Sequence, residues 1–251
     1  MIYQTFARLY DELFDDDLYQ DWAKFVQQQV PTPTTMLDVA GGAGRFGILM
    51  AQAGYEVTDL DLSADMLELA AEHREQAQVD LMLMQGNMLD LSLLGQYPLI
   101  TCFADSLCYL NNFAEFKQAL QQMYTHLTPG GTLIFDMMTP HQMDDVYPGY
   151  MFNYQDEDYQ RAFIWQSFAD DDVEHGVIHD LTFFIQDAAG KYDRISEMHF
   201  QRSYPVPMVQ AALKEIGFVN LQYSSDFGRQ PLTDATTRMF VVAQKPGLRH
   251  D

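Results

Sequence analysis

The chain has 251 residues, 47% of them hydrophobic, and is therefore long enough to bury a sizeable core in a globular fold. Its 36 acidic residues against 14 Lys and Arg give a formal net charge of -22, which argues against nucleic acid or an anionic membrane as a partner. Cys102 and Cys108 match no zinc or disulfide spacing, and we predict no metal site. The acidic N-terminal stretch and the lack of a long uncharged apolar run lead us to expect a cytoplasmic protein.

Two amphipathic helices are predicted at the N-terminal end. Apolar residues recur at three- and four-residue spacing over residues 3–14 and again over residues 18–26, with an acidic run between them. Two prolines then stop the helical pattern, and residues 36–39 are predicted to form a short buried strand. This strand runs directly into a glycine-rich turn.

The next hundred residues alternate between strand and helix patterns, as a doubly wound parallel sheet requires. Strands are predicted at residues 56–61, 79–84, 99–103 and 132–137, with helices beginning near Gly44, Ser63 and Asn112. The side-chain oxygens of Ser63 and Asn112 can cap their helices. Residues 128–131 are predicted to form a turn into the fifth strand.

The pattern changes after Pro140, where long aromatic and β-branched segments predict an inserted antiparallel meander. We expect an α/β domain of residues 1–139 and 205–247, interrupted at residues 140–204 by this meander, on the substrate side or between subunits. Its strands are predicted at residues 161–168, 177–186 and 192–204, and the α/β pattern resumes with a helix at 207–216 and strands at 219–224 and 238–244. Trp165, Phe183 and Phe184 are assigned to the core of the small sheet.

The glycine-rich turn at residues 41–47 is the strongest functional signal. Gly42 and Gly44 let the backbone turn sharply and approach a ligand closely, which suits any adenosine-containing cofactor. Asp61 follows about 20 residues later at the end of the second strand, where a carboxylate can accept hydrogen bonds from both ribose hydroxyls. Asp59 is the competing candidate, one layer deeper in the sheet. This arrangement fits nicotinamide cofactors and S-adenosylmethionine equally.

Asp38 favours S-adenosylmethionine over a nicotinamide cofactor. A carboxylate directly before the glycines would repel a pyrophosphate, but it suits a ligand that carries an ammonium and a sulfonium. The cation-bearing cofactor is therefore preferred.

Several segments, in order, resemble the motifs of class I S-adenosylmethionine-dependent methyltransferases, specifically small bacterial members with an antiparallel insertion after the fifth strand. They are LDVAGGAG at 37–44, VTDLDLSADML at 57–67, QGNMLDL at 85–91, TCFADSLCYL at 101–110, LTPGGTLIFD at 127–136 and the terminal pair at 217–225 and 236–245. The resemblance covers nearly the whole chain. It implies a Rossmann-like, mostly parallel seven-stranded sheet with a reversed terminal hairpin, plus the small meander.

The resemblance also implies which residues bind S-adenosylmethionine. They are Asp38, Ala40, Gly42, Gly44, Asp61, Leu62, Met66, Asn87, Met88 and Ala104, with Tyr10, beside Tyr3, on an N-terminal helix that is similar to a closing lid.

Individual roles follow from the same motifs. Asp61 is implied as the ribose-binding acid, with Leu62 and Met66 near the adenine face. Asn87 stands where the family commonly has an Asp that receives the adenine amino group, and an Asn carbonyl can accept the same hydrogen bond. Met88 would contribute its backbone amide to the ring and its side chain as a cover.

The resulting hypothesis is methyl transfer from S-adenosylmethionine to an unidentified small-molecule acceptor. In-line positioning of the nucleophile is its main requirement. No catalytic base stands out, and His141, Asp105 and the meander tyrosines are the first candidates. A nicotinamide-dependent oxidoreductase, allowed by Gly42, Gly44 and Asp61, and a catalytically silent S-adenosylmethionine-binding module are the alternatives. The oligomeric state is left open, with a dimer as one possibility.

Overall fold

The computed structural model describes residues 16–248, so the expectations for Tyr3 and Tyr10 lie outside the described residues. Within this range no helix combines the length and the apolar character needed to cross a membrane. The α-helices among the described residues are α1 (Asp16–Gln29), α2 (Arg45–Gln52), α3 (Ala64–Ala77), α4 (Phe113–His126) and α5 (Val206–Ile216).

Seven strands form the main sheet, in the spatial order β10, β11, β5, β4, β1, β2, β3. They are β1 (Thr35–Val39), β2 (Glu56–Asp61), β3 (Leu81–Gln85), β4 (Tyr97–Cys102), β5 (Leu127–Met138), β10 (Val219–Ser224) and β11 (Arg238–Gln244). The first five pair in parallel, whereas β11 is antiparallel to both β5 and β10. The Rossmann-like sheet with a reversed terminal hairpin is confirmed.

Local sequence signals set the helix starts and ends. Ser63 Oγ accepts a hydrogen bond from the Met66 amide at 3.2 Å, and Asn112 Oδ1 accepts one from the Glu115 amide at 3.0 Å. Both predicted caps are confirmed. Gly217 takes a left-handed φ of 112° directly after α5, where a residue with a Cβ would be strained.

The predicted turn at residues 128–131 is wrong in one respect, because these residues belong to β5. Leu127 already pairs with Tyr97, and the register shifts before Leu99 pairs with Thr132. Gly130 has a φ of 81° inside this irregular stretch. The turn-forming residues therefore bend the strand without ending it.

Two hydrophobic clusters cover the faces of the main sheet. Alternation along β1 sends Met36 to one face and Leu37 to the other. On the Met36 face, Trp22 and Phe25 of α1 pack with α2, and on the Leu37 face α4 and α5 pack, for example through Phe116. Asp38 shares the Met36 face and lies where β1 meets the glycine turn.

The second sheet has four consecutive antiparallel strands, β6 (Met151–Gln155), β7 (Arg161–Ala169), β8 (Gly176–Gln186) and β9 (Tyr192–Arg202). The predicted meander is confirmed, but it contains an edge strand, β6, that was not predicted. All five residues of β6 are exposed, so it has no buried alternation to reveal it. A single π-helical turn, Gln142–Val146, connects β5 to this sheet and was also not predicted.

Candidate active site

A cavity of about 500 Å³ lies at the carboxyl ends of β1, β2 and β4, and we call it the glycine-turn cavity. Open parallel sheets place their ligands at this edge. Its walls come from α1, the glycine turn, the start of α3, the loop after β4, and β9. Of the residues implied as cofactor ligands, those that line it are Asp38, Ala40, Gly42, Asp61, Leu62, Met66 and Ala104.

The glycine turn presents its backbone to the cavity. Ala40 and Gly42 have left-handed φ angles of 59° and 60°, and the Ala40 amide donates to the Leu60 carbonyl at 2.7 Å. A Cβ on Gly42 would have no atom within 4 Å, so the missing side chain leaves open space. Gly44 differs, because a Cβ there would lie 3.0 Å from the Ala70 Cβ. Gly44 therefore allows the turn to pack on α3.

Asp61 is held rigidly at the cavity wall. Its Oδ2 accepts a hydrogen bond from the Gly42 amide and its Oδ1 one from the Ser63 amide, both at 2.8 Å. Burial raises the pKa of Asp61, and these backbone donors oppose the increase. A fixed carboxylate at this place can accept hydrogen bonds from a diol.

Asp59 lies behind the turn and does not line the cavity. It is fully buried, and neither carboxyl oxygen has a hydrogen-bond partner among the described residues. Burial, with the charges of Asp38 and Asp61, raises its pKa well above the usual range. A Cβ on Gly41 would come within 1.9 Å of its Oδ1. The glycine turn therefore packs directly against a buried carboxyl group.

Asp38 is 2% exposed, and its Oδ1 accepts a hydrogen bond from the Thr101 hydroxyl at 2.6 Å. Burial raises its pKa to about 7, with a contribution from the charge of Asp61 and opposition from the Thr101 hydrogen bond. Ionised Asp38 and Asp61 together make the cavity electronegative. This environment stabilises a bound cation.

Asn87 and Met88 do not line the glycine-turn cavity among the described residues. The Asn87 Oδ1 accepts a hydrogen bond from the Leu89 amide at 2.9 Å and stabilises its own turn, while Met88 packs against a hydrophobic cluster. Leu62, in contrast, is 66% exposed at the mouth. The cavity is thus open to solvent on this side.

The apolar wall of this cavity was not predicted. Trp22 stacks on Phe103 with ring centroids 5.6 Å apart, and Phe46 meets Phe103 edge-on at 5.1 Å. All three line the cavity. The spacing in α1 indicated only that Trp22 faces the core. A core-facing residue near the edge of the sheet can also line the cavity there.

A second cavity of about 180 Å³ lies between the two sheets, and we call it the two-sheet cavity. Its aromatic wall consists of Tyr109, Tyr147, Phe163 and Trp165, and its polar wall of Asp105, His179, His199, Gln201 and Arg238. Tyr109 and His199 also line the glycine-turn cavity, so the two cavities are neighbours. Trp165, assigned to the small core from sequence, therefore lines a cavity, whereas Phe183 is buried in that core.

A buried ion-pair network fixes Asp105 at this junction. Arg238 donates to Asp105 Oδ1 at 2.7 Å and to Asp136 Oδ2 at 2.8 Å. Asp136 also accepts hydrogen bonds from the Asp105 amide and the Trp22 indole. Burial opposes ionisation of Arg238, but the two carboxylates outweigh it and raise its pKa. The network joins the loop after β4, β5, β11 and α1.

His179 is connected to the same network. The Trp165 indole donates to His179 Nδ1 at 3.2 Å, His179 Nε2 lies 3.2 Å from Gln201 Oε1, and the Gln201 amide donates to Asp105 Oδ2. Because Nδ1 accepts, the proton of neutral His179 is assigned to Nε2. Burial lowers the pKa of His179. Three strands of the small sheet are thus tied to Asp105.

His199 stands where the two cavities meet. Its Nε2 lies 3.2 Å from Glu197 Oε2 on the same strand, and burial lowers its pKa against the opposing charge of Glu197. His141, the histidine singled out from sequence, pairs with Asp145 and lines neither cavity. Asp105, the other candidate, does line the two-sheet cavity. No sequence spacing distinguished His199 from His141.

The comparisons with known proteins agree with this geometry. A family model described as "Methyltransferase domain" matches residues 36–131. The chain is 36% identical to "Putative methyltransferase YqeM" of Bacillus subtilis (strain 168), over 98% of each chain. It belongs to the class I S-adenosylmethionine-dependent methyltransferase family. The methyltransferase interpretation of the sequence is confirmed, and neither alternative has support.

Two further similarities show how far the relationship extends. A crystal structure of an S-adenosylmethionine-dependent methyltransferase from Clostridium acetobutylicum ATCC 824 has a TM-score of 0.85 at 24% identity, over 98% of this chain and 99% of that one, which shows the shared fold. A dTDP-3-amino-3,6-dideoxy-alpha-D-glucopyranose N,N-dimethyltransferase of Streptomyces fradiae is 33% identical over 46% of this methyltransferase and 44% of its own length. S-adenosylmethionine is the cofactor.

Proposed function

We propose that this methyltransferase binds S-adenosylmethionine in the glycine-turn cavity and a small-molecule acceptor in the two-sheet cavity. One observation carries the proposal: Tyr109 and His199 line both cavities. Methyl transfer requires donor and acceptor in adjoining sites with the nucleophile held in line. Two neighbouring cavities, one built around a glycine turn, meet this requirement.

The residues of the glycine-turn cavity fit the cofactor. The open space at Gly42 accepts a ligand close to the backbone, and the fixed Asp61 carboxylate suits a ribose diol. Ionised Asp38 suits a cationic amino acid portion. When bound, S-adenosylmethionine supplies a methyl group on a sulfonium centre.

The remaining cofactor contacts implied by sequence are retained as parts of the proposal. Leu62 and Met66 would flank the adenine, and Ala104, with a left-handed φ of 55°, would present its backbone to the methionine portion. Asn87 keeps its role because an amide carbonyl has two lone pairs, of which the Leu89 amide uses one. Tyr10, like Met88 and Gly44, stays a prediction.

The chain's own contribution to the reaction is positioning and proton acceptance. The aromatic side chains Trp22 and Phe103 exclude water from the donor side, and the Asp105 network holds the acceptor side in a fixed geometry. His199, kept neutral by burial and paired with Glu197, is placed to receive a proton from the acceptor. It replaces His141 as the candidate base.

A small-molecule acceptor is also consistent with the relatives. The Streptomyces fradiae relative carries the name of an amino-sugar methyltransferase. The cytoplasmic location and the role of residues 140–204 as a separate inserted unit remain predictions.

The test is calorimetric titration with S-adenosylhomocysteine. We expect the wild-type protein to bind it, and Asp61→Asn to bind at least tenfold more weakly, since hydrogen bonds to a charged group are worth about 1.5–3 kcal/mol. Asp171→Asn, a change at an exposed carboxylate that lines neither cavity, serves as the control and should bind as wild type. No binding of either S-adenosylmethionine or its product by the wild-type protein would refute the proposal.

A further inference from the structure

The charges around the two cavities are unequal. Arg238 is the one Lys or Arg among the described residues that line them, and it is already engaged by Asp105 and Asp136. Glu197 lines the glycine-turn cavity, and its Oε2 lies 3.2 Å from Nε2 of His199, which lines both cavities. Asp105 and Arg238 balance within the two-sheet cavity, but the two adjoining cavities together hold the carboxylates of Asp38, Asp61, Asp65, Asp105 and Glu197 against this one guanidinium, so their walls carry more negative than positive charge.

The two-sheet cavity also has an aromatic wall. Trp165 lies with its ring centroid 6.4 Å from that of Tyr147, and Phe163 and Tyr109 complete the aromatic lining. The faces of such rings attract an organic cation within about 6 Å of their centroids. Carboxylates together with aromatic rings are the combination that recognises an ammonium group.

The size of the cavity limits the acceptor. At about 180 Å³ it has room for a body of roughly one ring, since a cavity of about 150 Å³ accommodates benzene. A diphosphate would need Lys or Arg side chains that the described lining does not offer. The acceptor that fits these walls differs in charge from the dTDP-linked sugar in the name of the Streptomyces fradiae relative.

We propose that the acceptor site in the two-sheet cavity selects a small acceptor carrying a protonated amine, and rejects anionic acceptors, through the rings of Tyr109, Tyr147 and Trp165 and the negative charge of Glu197 at its boundary with the glycine-turn cavity. This inference rests on the proposed function, because it assigns the acceptor class of the same site. His199 removes one proton from the ammonium. The nitrogen lone pair then forms the bond to the methyl carbon, the carbon–sulfur bond breaks with its electrons left on sulfur, and the products are a methylammonium and S-adenosylhomocysteine.

The test uses three matched probes of one size: benzylamine, benzyl alcohol and benzoate. Each is titrated into the full-length protein saturated with S-adenosylhomocysteine, and binding is followed by ligand-observed NMR at pH 7. We expect benzylamine to bind at least tenfold more tightly than benzyl alcohol, and benzoate to bind more weakly than either. Benzoate binding as tightly as benzylamine, or no binding of benzylamine, would overturn the inference.

Two variants test whether the charge of Glu197 causes the preference for benzylamine. Glu197→Gln keeps the shape of the side chain but removes its charge, so it should weaken benzylamine several-fold while leaving benzyl alcohol unchanged. Glu174→Gln, at an exposed loop position, should leave all three probes as in the wild-type protein. An equal loss for benzylamine and benzyl alcohol in Glu197→Gln would show a packing effect and contradict charge selection.

The affinity for S-adenosylhomocysteine, measured in the same samples, separates the two proposals. Normal cofactor binding with wrong probe selectivity overturns only the acceptor class. Loss of cofactor binding in the wild-type protein overturns the proposed function and the inference with it.

Discussion

The two cavities are built in opposite ways. The carboxylates of the glycine-turn cavity lie mostly within residues 38–65, and Asp61 among them is held by the backbone amides of Gly42 and Ser63. The two-sheet cavity is assembled from residues 105–238, and its geometry depends on side chains from five strands and two connecting segments. A site made of one local turn can retain its ligand while the neighbouring, long-range site changes its specificity.

Arg238→Met is expected to have the largest effect, on the long-range site. It leaves Asp105 and Asp136 buried without their cation, and breaking a buried pair in this way costs about 3–5 kcal/mol. Urea denaturation should show this loss in the free energy of unfolding. Arg229→Met, which removes exposed ion pairs to Asp21 and Asp226, is the control and should change it little.

Arg238→Met also tests whether the glycine-turn cavity depends on the two-sheet cavity. If Arg238→Met retains binding of S-adenosylhomocysteine at a temperature where it is folded, the local site is independent of the long-range network. Equal loss of cofactor binding and stability would mean that the two sites form one unit.

Gly41→Ala should disturb the local site by a smaller amount. The new Cβ would come within 1.9 Å of Asp59 Oδ1, and overpacking of this kind costs about 1–3 kcal/mol. Asp59→Ala removes the obstructing carboxyl, so the double variant should recover much of the loss. A double variant whose free energy of unfolding equals the sum of both single losses would show that the clash is not the cause.

The local features of the fold and of the glycine-turn cavity could be predicted from the sequence. Ser63 and Asn112 were predicted because each caps a helix within three residues of its own position, and Asp61 because it follows the glycine turn by about 20 residues at the end of a strand. The reversed hairpin of β10 and β11 followed from contiguous strand patterns and from the family motifs. Local side-chain chemistry, the spacing of apolar residues and the family motifs were sufficient to predict these features.

Long-range juxtaposition was beyond the sequence. His199 and His141 are both isolated histidines, and only the folding of β9 against the loop after β4 places His199 beside Tyr109. Trp165 was predicted to lie in the core because it is apolar and favours strands, but the face of the small sheet that carries it also borders a cavity. Whether an inward-facing ring meets another ring or an opening is decided by the distance between the two sheets.

Asp38 makes both stability and cofactor binding depend on pH. Burial raises its pKa to about 7, so the folded protein keeps a proton that the unfolded chain releases near pH 4. The free energy of unfolding of the cofactor-free protein therefore receives a contribution that is lost as the pH rises from about 4 to about 7. Bound cofactor, whose ammonium favours ionised Asp38, should reverse this trend.

The expected result is that the affinity for S-adenosylhomocysteine rises about tenfold between pH 6 and pH 8, as the ionised fraction of Asp38 grows. Calorimetry across this range measures it. Asp38→Asn, which cannot ionise, should bind weakly and with little pH dependence. The same tenfold rise in Asp38→Asn would assign the titration to another group, for which Asp61 is the nearest candidate.

The smallest expected effects come from removing two helix caps, only one of which lies at the glycine-turn cavity. Ser63→Ala and Asn112→Ala each remove a side-chain cap, at α3 and α4 respectively, and each should lower the free energy of unfolding by about 1 kcal/mol. Only Ser63 lines the glycine-turn cavity, and its amide also holds Asp61. Cofactor affinity should therefore fall in Ser63→Ala and stay unchanged in Asn112→Ala. Equal affinities in the two variants would mean that the backbone of the turn positions Asp61 without help from the cap.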